Sequence, residues 1–205
     1  FDTLIKEQYS ESKIVHLSVE QKEIISSALE NIDVIVQNPQ DKEREWSFVG
    51  HPFEVNIAKA AVLHGISLKT IMTEKDLLQI PFNSSNKFSV SKGQDNKYII
   101  MGAPDILLKK SDIDKDTYLK ILSWINDASN NGQRLIAVGT FNAKNNKSFK
   151  KDLIKDIKFS GILSFFDPVR EEVPSAIKNI ETHGVRVIII TGDLKGTAIS
   201  VAKNL

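Results

Sequence analysis

The chain has 205 residues, 41% of them hydrophobic, and its 27 basic and 26 acidic residues leave a formal net charge of +1. That length and apolar content suffice for one large or two small packed domains, whereas the charge balance supplies no field toward nucleic acid, an anionic membrane or an acidic substrate. The absence of cysteine excludes disulfides, thiolate catalysis and cysteine metal sites. His16, His51, His64 and His183 are scattered without metal-ligand spacing. No apolar run approaches the ~18 residues that span a bilayer, and no signal-peptide pattern opens the chain, so a globular protein that works in water is expected. A start at Phe1 and an end at Leu205 inside a helical pattern read as a segment of a longer protein.

A short strand is predicted at 14–17, then a helix. Ser18 caps it and Gln21 closes a capping box, while Ile24, Ile25, Ala28, Leu29 and Ile32 form one apolar face. The charged run 41–45 reads as a solvated loop leading to a short strand at 46–49. Pro52 suits the first turn of a second helix that buries Val55, Ile57, Ala58, Ala61 and Val62 and stops at Gly65. Strands over 77–82, 87–91 and 97–101, separated by turns, predict an antiparallel meander. Helices at 105–110 and 114–130 follow, the second with Leu119, Ile121, Leu122, Ile125 and Ala128 inward. A strand at 135–141 and a Lys/Asn-rich loop at 142–151 complete an α+β unit, an antiparallel sheet flanked by helices.

From Phe159 the pattern alternates: strand 159–166, helix 171–183, strand 185–190, helix 196–205. That order predicts part of a doubly wound α/β (Rossmann-like) unit with a parallel crossover. The β-branched run 185–190 suits a strand buried on both faces. At its carboxyl end, where open α/β sheets bind ligands, Thr191 offers a hydroxyl, Gly192 permits close backbone approach and Asp193 a carboxylate. The helix after Gly196 points free N–H groups outward, so the chemistry suggested is phosphate handling. The alternative is an ordinary strand-turn-helix in which Gly192-Asp193 only makes the turn.

Several motifs fall in one order. Gly50-His-Pro-Phe-Glu54 resembles G-x-x-x-E; Pro81-Phe-Asn-Ser-Ser-Asn-Lys-Phe-Ser-Val90 resembles an F-x-x-x-x-K strand entry; Met101-Gly-Ala-Pro-Asp105 resembles K-G-A-P-E. Gly132-Gln-Arg-Leu-Ile-Ala137 resembles G-x-R-x-L-A, Asp167-Pro-Val-Arg170 resembles D-P-P-R, and Thr191-Gly-Asp193 with Thr197-Ala198 resembles T-G-D-x-x-x-T-A. Together they resemble the cytoplasmic part of a P-type cation-transporting ATPase, from about Val49 onward. The 82–87 wording is similar to the monovalent and calcium pump branches.

The resemblance implies a nucleotide-binding domain at 1–155 and part of a haloacid-dehalogenase-like phosphorylation domain at 156–205. It implies ATP and magnesium as cofactors, and as partners the remaining phosphorylation, actuator and transmembrane domains of a pump, with no nucleic acid. Phe82 would stack on adenine, Lys87 and Arg134 would meet the triphosphate, Glu54 would accept from the adenine end, and Gly102 would pass beneath the ring. Asp167 and Arg170 would form the pivot between domains. A core role for Phe82, a dipole-stabilised place for Glu54 and a plain salt-bridged loop at Asp167 and Arg170 are the structural alternatives.

Two departures stand out. Met101 occupies the place of the motif lysine, so weaker nucleotide binding is expected, with Met101→Lys tightening it. No D-K-T-G-T segment bearing the phosphorylated aspartate occurs in these residues, nor G-D-G-x-N-D, so no metal site is assigned and phosphoryl transfer lacks its nucleophile. The competing readings are a nucleotide-independent docking module and a haloacid-dehalogenase-like phosphatase fragment.

Overall fold

The computed structural model describes residues 17–68, 78–93, 97–143, 154–165, 169–191, 195–203 and 205. By contacts the chain separates into two compact units, one of residues 1–113 with 136–163 and one of 114–135 with 164–205.

In the first unit, α1 (Val19–Leu29) begins at the predicted capping box. The Ser18 amide donates to Gln21 Oε1 at 2.7 Å and the Gln21 amide to Ser18 Oγ at 3.3 Å. Its buried residues are Gln21, Ile25, Ala28 and Leu29, with Ile32 beyond its end also in the core. β1 (Ile35–Val36) pairs antiparallel with β2 (Phe48–Val49), and the charged run between them contains a single 3₁₀ turn, Glu43–Glu45. α2 (Pro52–Leu63) starts on Pro52 and buries Ile57, Ala58 and Ala61. Any strand at 14–17 would lie almost wholly outside the described residues; Leu17 itself is buried.

The meander forms as its alternation predicts. β3 (Leu78–Ile80), β4 (Phe88–Lys92), β5 (Lys97–Gly102), β6 (Arg134–Asn142) and β7 (Lys158–Phe165) lie in that order in one sheet. β3–β4, β4–β5 and β5–β6 pair antiparallel, with Phe88 opposite Gly102 and Gly102 opposite Ala137. Alternation along the strands separates two faces. On one, Phe88, Val90, Tyr98, Ile100 and Phe141 cluster with Leu107 of α3 (Pro104–Lys109) and with Ile154 and Ile157; the Tyr98 and Phe141 rings stack 5.5 Å apart.

On the other face Ser89, Ser91, Ile99 and Met101 alternate inward, and a polar clasp forms there. Asn31, only 1% exposed, comes next after Glu30, the C-cap of α1. Its Nδ2 donates to the Ile99 carbonyl at 2.9 Å and the Ser89 carbonyl at 3.5 Å. The Ser89 hydroxyl donates back to Asn31 Oδ1 at 2.5 Å. One side chain thus spans two strands and fixes the end of α1 on the sheet.

The second unit holds α4 (Lys115–Asn130), α5 (Glu172–Thr182) and α6 (Lys195–Lys203). Asp114 caps α4, accepting from the amides of Asp116 at 3.0 Å and Thr117 at 2.9 Å. Ile121, Ile125 and Ala128 are buried, but Leu119, expected inward, is 51% exposed; it lies two residues from Ile121, off the stripe that Ile121, Ile125 and Ala128 define. Helices α2, α4 and α5 end alike. Gly65, Gly132 and Gly184 have φ of 71°, 77° and 80°, and the next residue's amide reaches back five positions, as from Ile66 to the Ala61 carbonyl at 2.9 Å.

One expectation fails. Residues 185–190 form no strand; all six are exposed, Ile190 by 94%. A β-branched run becomes a buried strand only between neighbours that hydrogen-bond its edges and cover its faces, and no described strand pairs with it.

The clasp makes a paired prediction. Asn31→Ala strands buried acceptors and should cost about 1–3 kcal/mol in chemical denaturation. Ser91, fully buried on the same face with no hydrogen-bond partner for its hydroxyl, should tolerate Ser91→Ala with no loss or a gain of stability. Glu30, the C-cap of α1, supplies a pH test. Burial raises its carboxyl above the ordinary 4.5, against the opposing charge of Lys97. A group whose pKa rises on folding contributes stability below the unfolded value and loses it as pH climbs through the folded one. Glu30→Gln should therefore raise the melting temperature at neutral pH more than at pH 4.

Candidate functional site

The chain leaves β3 through Pro81 and Phe82 and turns sharply at Asn83. Asn83 Oδ1 accepts the Asn86 amide and the Asn83 carbonyl accepts the Lys87 amide, both at 2.8 Å. The turn delivers Lys87 in the left-handed region, φ 58°, uncommon for a residue with a side chain. From there the Lys87 carbonyl accepts the Ala103 amide at 2.8 Å, tying the turn to the end of β5. Phe82 stands 63% exposed, so its ring is no part of the core, and Lys87, five residues on, is exposed too.

Gly102 is the buried last residue of β5. A Cβ there would lie 2.6 Å from Phe88 Cα and would also overlap the Lys87 carbonyl oxygen. The neighbouring strand alone therefore demands glycine, a reason invisible without the register. Phe82, Lys87 and Gly102 are thus joined at one end of the β4–β5 pair.

Glu54 is half-buried in the first turn of α2, in the same unit. The free N–H groups of that helix end favour a carboxylate. Before it the His51 and Phe53 rings lie 5.2 Å apart, tilted by 31°.

The remaining residues fall in the second unit. Arg134 opens β6 and is exposed; the turn before it is held by Ser200 Oγ donating to the Asn131 carbonyl at 2.9 Å and Ser164 Oγ donating to Gln133 Oε1 at 2.8 Å. Arg170 is exposed at the approach to α5, its carbonyl accepting the Val173 amide at 3.0 Å. Thr191 is exposed at the end of the 185–190 run. Asp167, Gly192 and Asp193 lie outside the described residues. Sequence reasoning missed Asn31 and Asn83; the Asn-Ser-Ser-Asn turn was a signal for the second, and nothing local signals the first.

Comparison with known proteins agrees with this architecture. The family model described as P-type ATPase, cytoplasmic domain N, matches residues 20–172. The chain belongs to that family. It is 29% identical over 187 residues to calcium-transporting ATPase 1 of Yarrowia lipolytica, covering 83% of this chain and 20% of that protein. To the sodium/potassium-transporting ATPase subunit alpha-B of Artemia franciscana it is 30% identical over 186 residues, 72% of this chain and 18% of the other. A calcium-transporting ATPase of Bacillus subtilis is 28% identical over 184 residues, 82% of this chain and 21% of the other. The chain thus spans about a fifth of the length of these relatives. Among the described residues no helix is long and apolar enough to cross a membrane.

Met101 requires a revision. It is only 7% exposed, opposite Ser89 on the clasp face, so lysine there would place an ammonium among Asn31, Ser89 and Ile99. Met101→Lys is expected to destabilise the chain by at least about 2 kcal/mol in urea unfolding, without tightening nucleotide binding. Unchanged stability with tighter binding would show instead that the side chain swings out to a phosphate.

Proposed function

We propose that residues 1–155 are the ATP-binding module of a cation-transporting P-type ATPase. The observation that carries this reading is the Phe82 ring held away from the core on a braced turn, within a chain of this family. An exposed aromatic face is a platform for a purine, and such stacking contributes about 1–3 kcal/mol per base. Lys87, five residues on, supplies a mobile positive charge to the phosphates, and Glu54 accepts from the exocyclic amine of adenine. Arg134 adds a two-pronged contact to the triphosphate, a role that rests on motif resemblance alone. Magnesium would arrive chelated by the nucleotide.

Residues 156–205, in this reading, begin a haloacid-dehalogenase-like phosphorylation domain. The exposed run 185–190 would enter a parallel sheet with strands supplied from outside residues 1–205, and Thr191, Gly192 and Asp193 would then face the phosphoryl group. Asp167 and Arg170 form the pivot. The aspartate that accepts phosphate comes from elsewhere in the pump, so this chain binds nucleotide and presents it without itself carrying the covalent intermediate.

Isothermal titration with ATP should give a dissociation constant of roughly 0.1–1 mM, about 4–6 kcal/mol. Phe82→Ala should weaken it at least tenfold with little change in melting temperature. Absence of heat at millimolar ATP in the unmodified chain would favour the docking-module reading.

A further inference from the structure

We propose that Asn83 is the positioning residue of the nucleotide site, an inference that rests on the ATP-binding reading above. Asn83 is itself exposed and lies between the two side chains assigned to the ligand. Both its oxygens act as acceptors inside the turn, Oδ1 for the Asn86 amide and the main-chain carbonyl for the Lys87 amide, each at 2.8 Å. A non-glycine residue does not occupy φ 58° without compensation. The Asn83 bonds supply it, and the Lys87 carbonyl then completes the brace by accepting the Ala103 amide at 2.8 Å.

The consequence is preorganisation. Phe82 directly precedes Asn83 and Lys87 ends the turn, so ring and ammonium are carried on one closed element whose far end is bonded to the Gly102–Ala103 corner. A ligand that meets a closed turn does not spend binding energy on ordering it. Without the Oδ1 acceptor, the Asn86 amide loses this bond and the turn samples open forms in which Phe82 and Lys87 are no longer carried in one fixed arrangement.

Asn83→Ala removes only the side-chain acceptor, whereas Asn83→Asp keeps it and adds a charge. Adenosine, which lacks phosphate, separates geometry from that charge. Titrations of ATP and adenosine should be followed on the Phe82 ring resonances, with hydrogen exchange of the Asn86 and Lys87 amides and a melting curve for each variant. The expected result is a roughly tenfold loss of affinity for both ligands in Asn83→Ala, faster exchange at both amides, and a melting temperature close to that of the unmodified chain. Asn83→Asp should restore adenosine binding and slow exchange. If Asn83→Ala does not fold, Asn83→Ser, with a shorter acceptor, should show an intermediate loss.

Equal affinity in Asn83→Ala and the unmodified chain overturns the positioning role and leaves the ATP reading standing. An unmodified chain that binds neither ligand overturns both.

Discussion

The candidate site depends on how closely two antiparallel strands approach at one point. β5 ends on Gly102 so near the start of β4 that a single methyl group would overlap the Lys87 carbonyl and lie 2.6 Å from Phe88 Cα. That approach lets the Lys87 carbonyl take the Ala103 amide at 2.8 Å, which anchors the turn bearing Phe82. The chain then enters α3 through Pro104 at its first turn. A larger residue at 102 would separate the strands and release that turn, so one glycine serves both the sheet and the candidate site.

The opposite face of the same strands adds polar contact to the burial of Ile99 and Met101. Asn31 bridges the carbonyls of Ser89 and Ile99, and the Ser89 hydroxyl closes the ring of bonds. A buried amide of this kind stabilises only because nearly every bond it can make is made. Met101 lies on the same face. Set opposite Ser89 and shielded from water, the thioether belongs to the interior, and its departure from the motif lysine is a packing choice on the clasp face.

What was legible in the sequence follows from the range of each cause. The Ser18–Gln21 box, the Pro52 helix start and the glycine ends at Gly65, Gly132 and Gly184 are set by residues within one turn, and each forms as its local chemistry predicts. The meander was readable from alternation and turn residues, and the pairing of its strands follows from it. Illegible features need a partner far along the chain: Asn31 meets Ile99 across 68 residues, and Gly102 is explained only by the strand opposite. The run 185–190 fails in the opposite sense, since its composition describes a strand whose neighbours the described residues do not provide. For the proposed site, motif order points to Phe82 and Lys87, while Asn83, whose bonds close the turn between them, is hidden among ordinary turn residues.

The central claim is that nucleotide meets this chain at the end of the β4–β5 pair. Mapping backbone and ring resonances during addition of a non-hydrolysable ATP analogue tests it most directly. The account predicts saturable shifts at the Phe82 ring and at the amides of Lys87, Gly102 and Ala103, with the buried Ile99 and Val138 amides unmoved. Saturable shifts elsewhere, with the Phe82 ring and Gly102 silent, would contradict it.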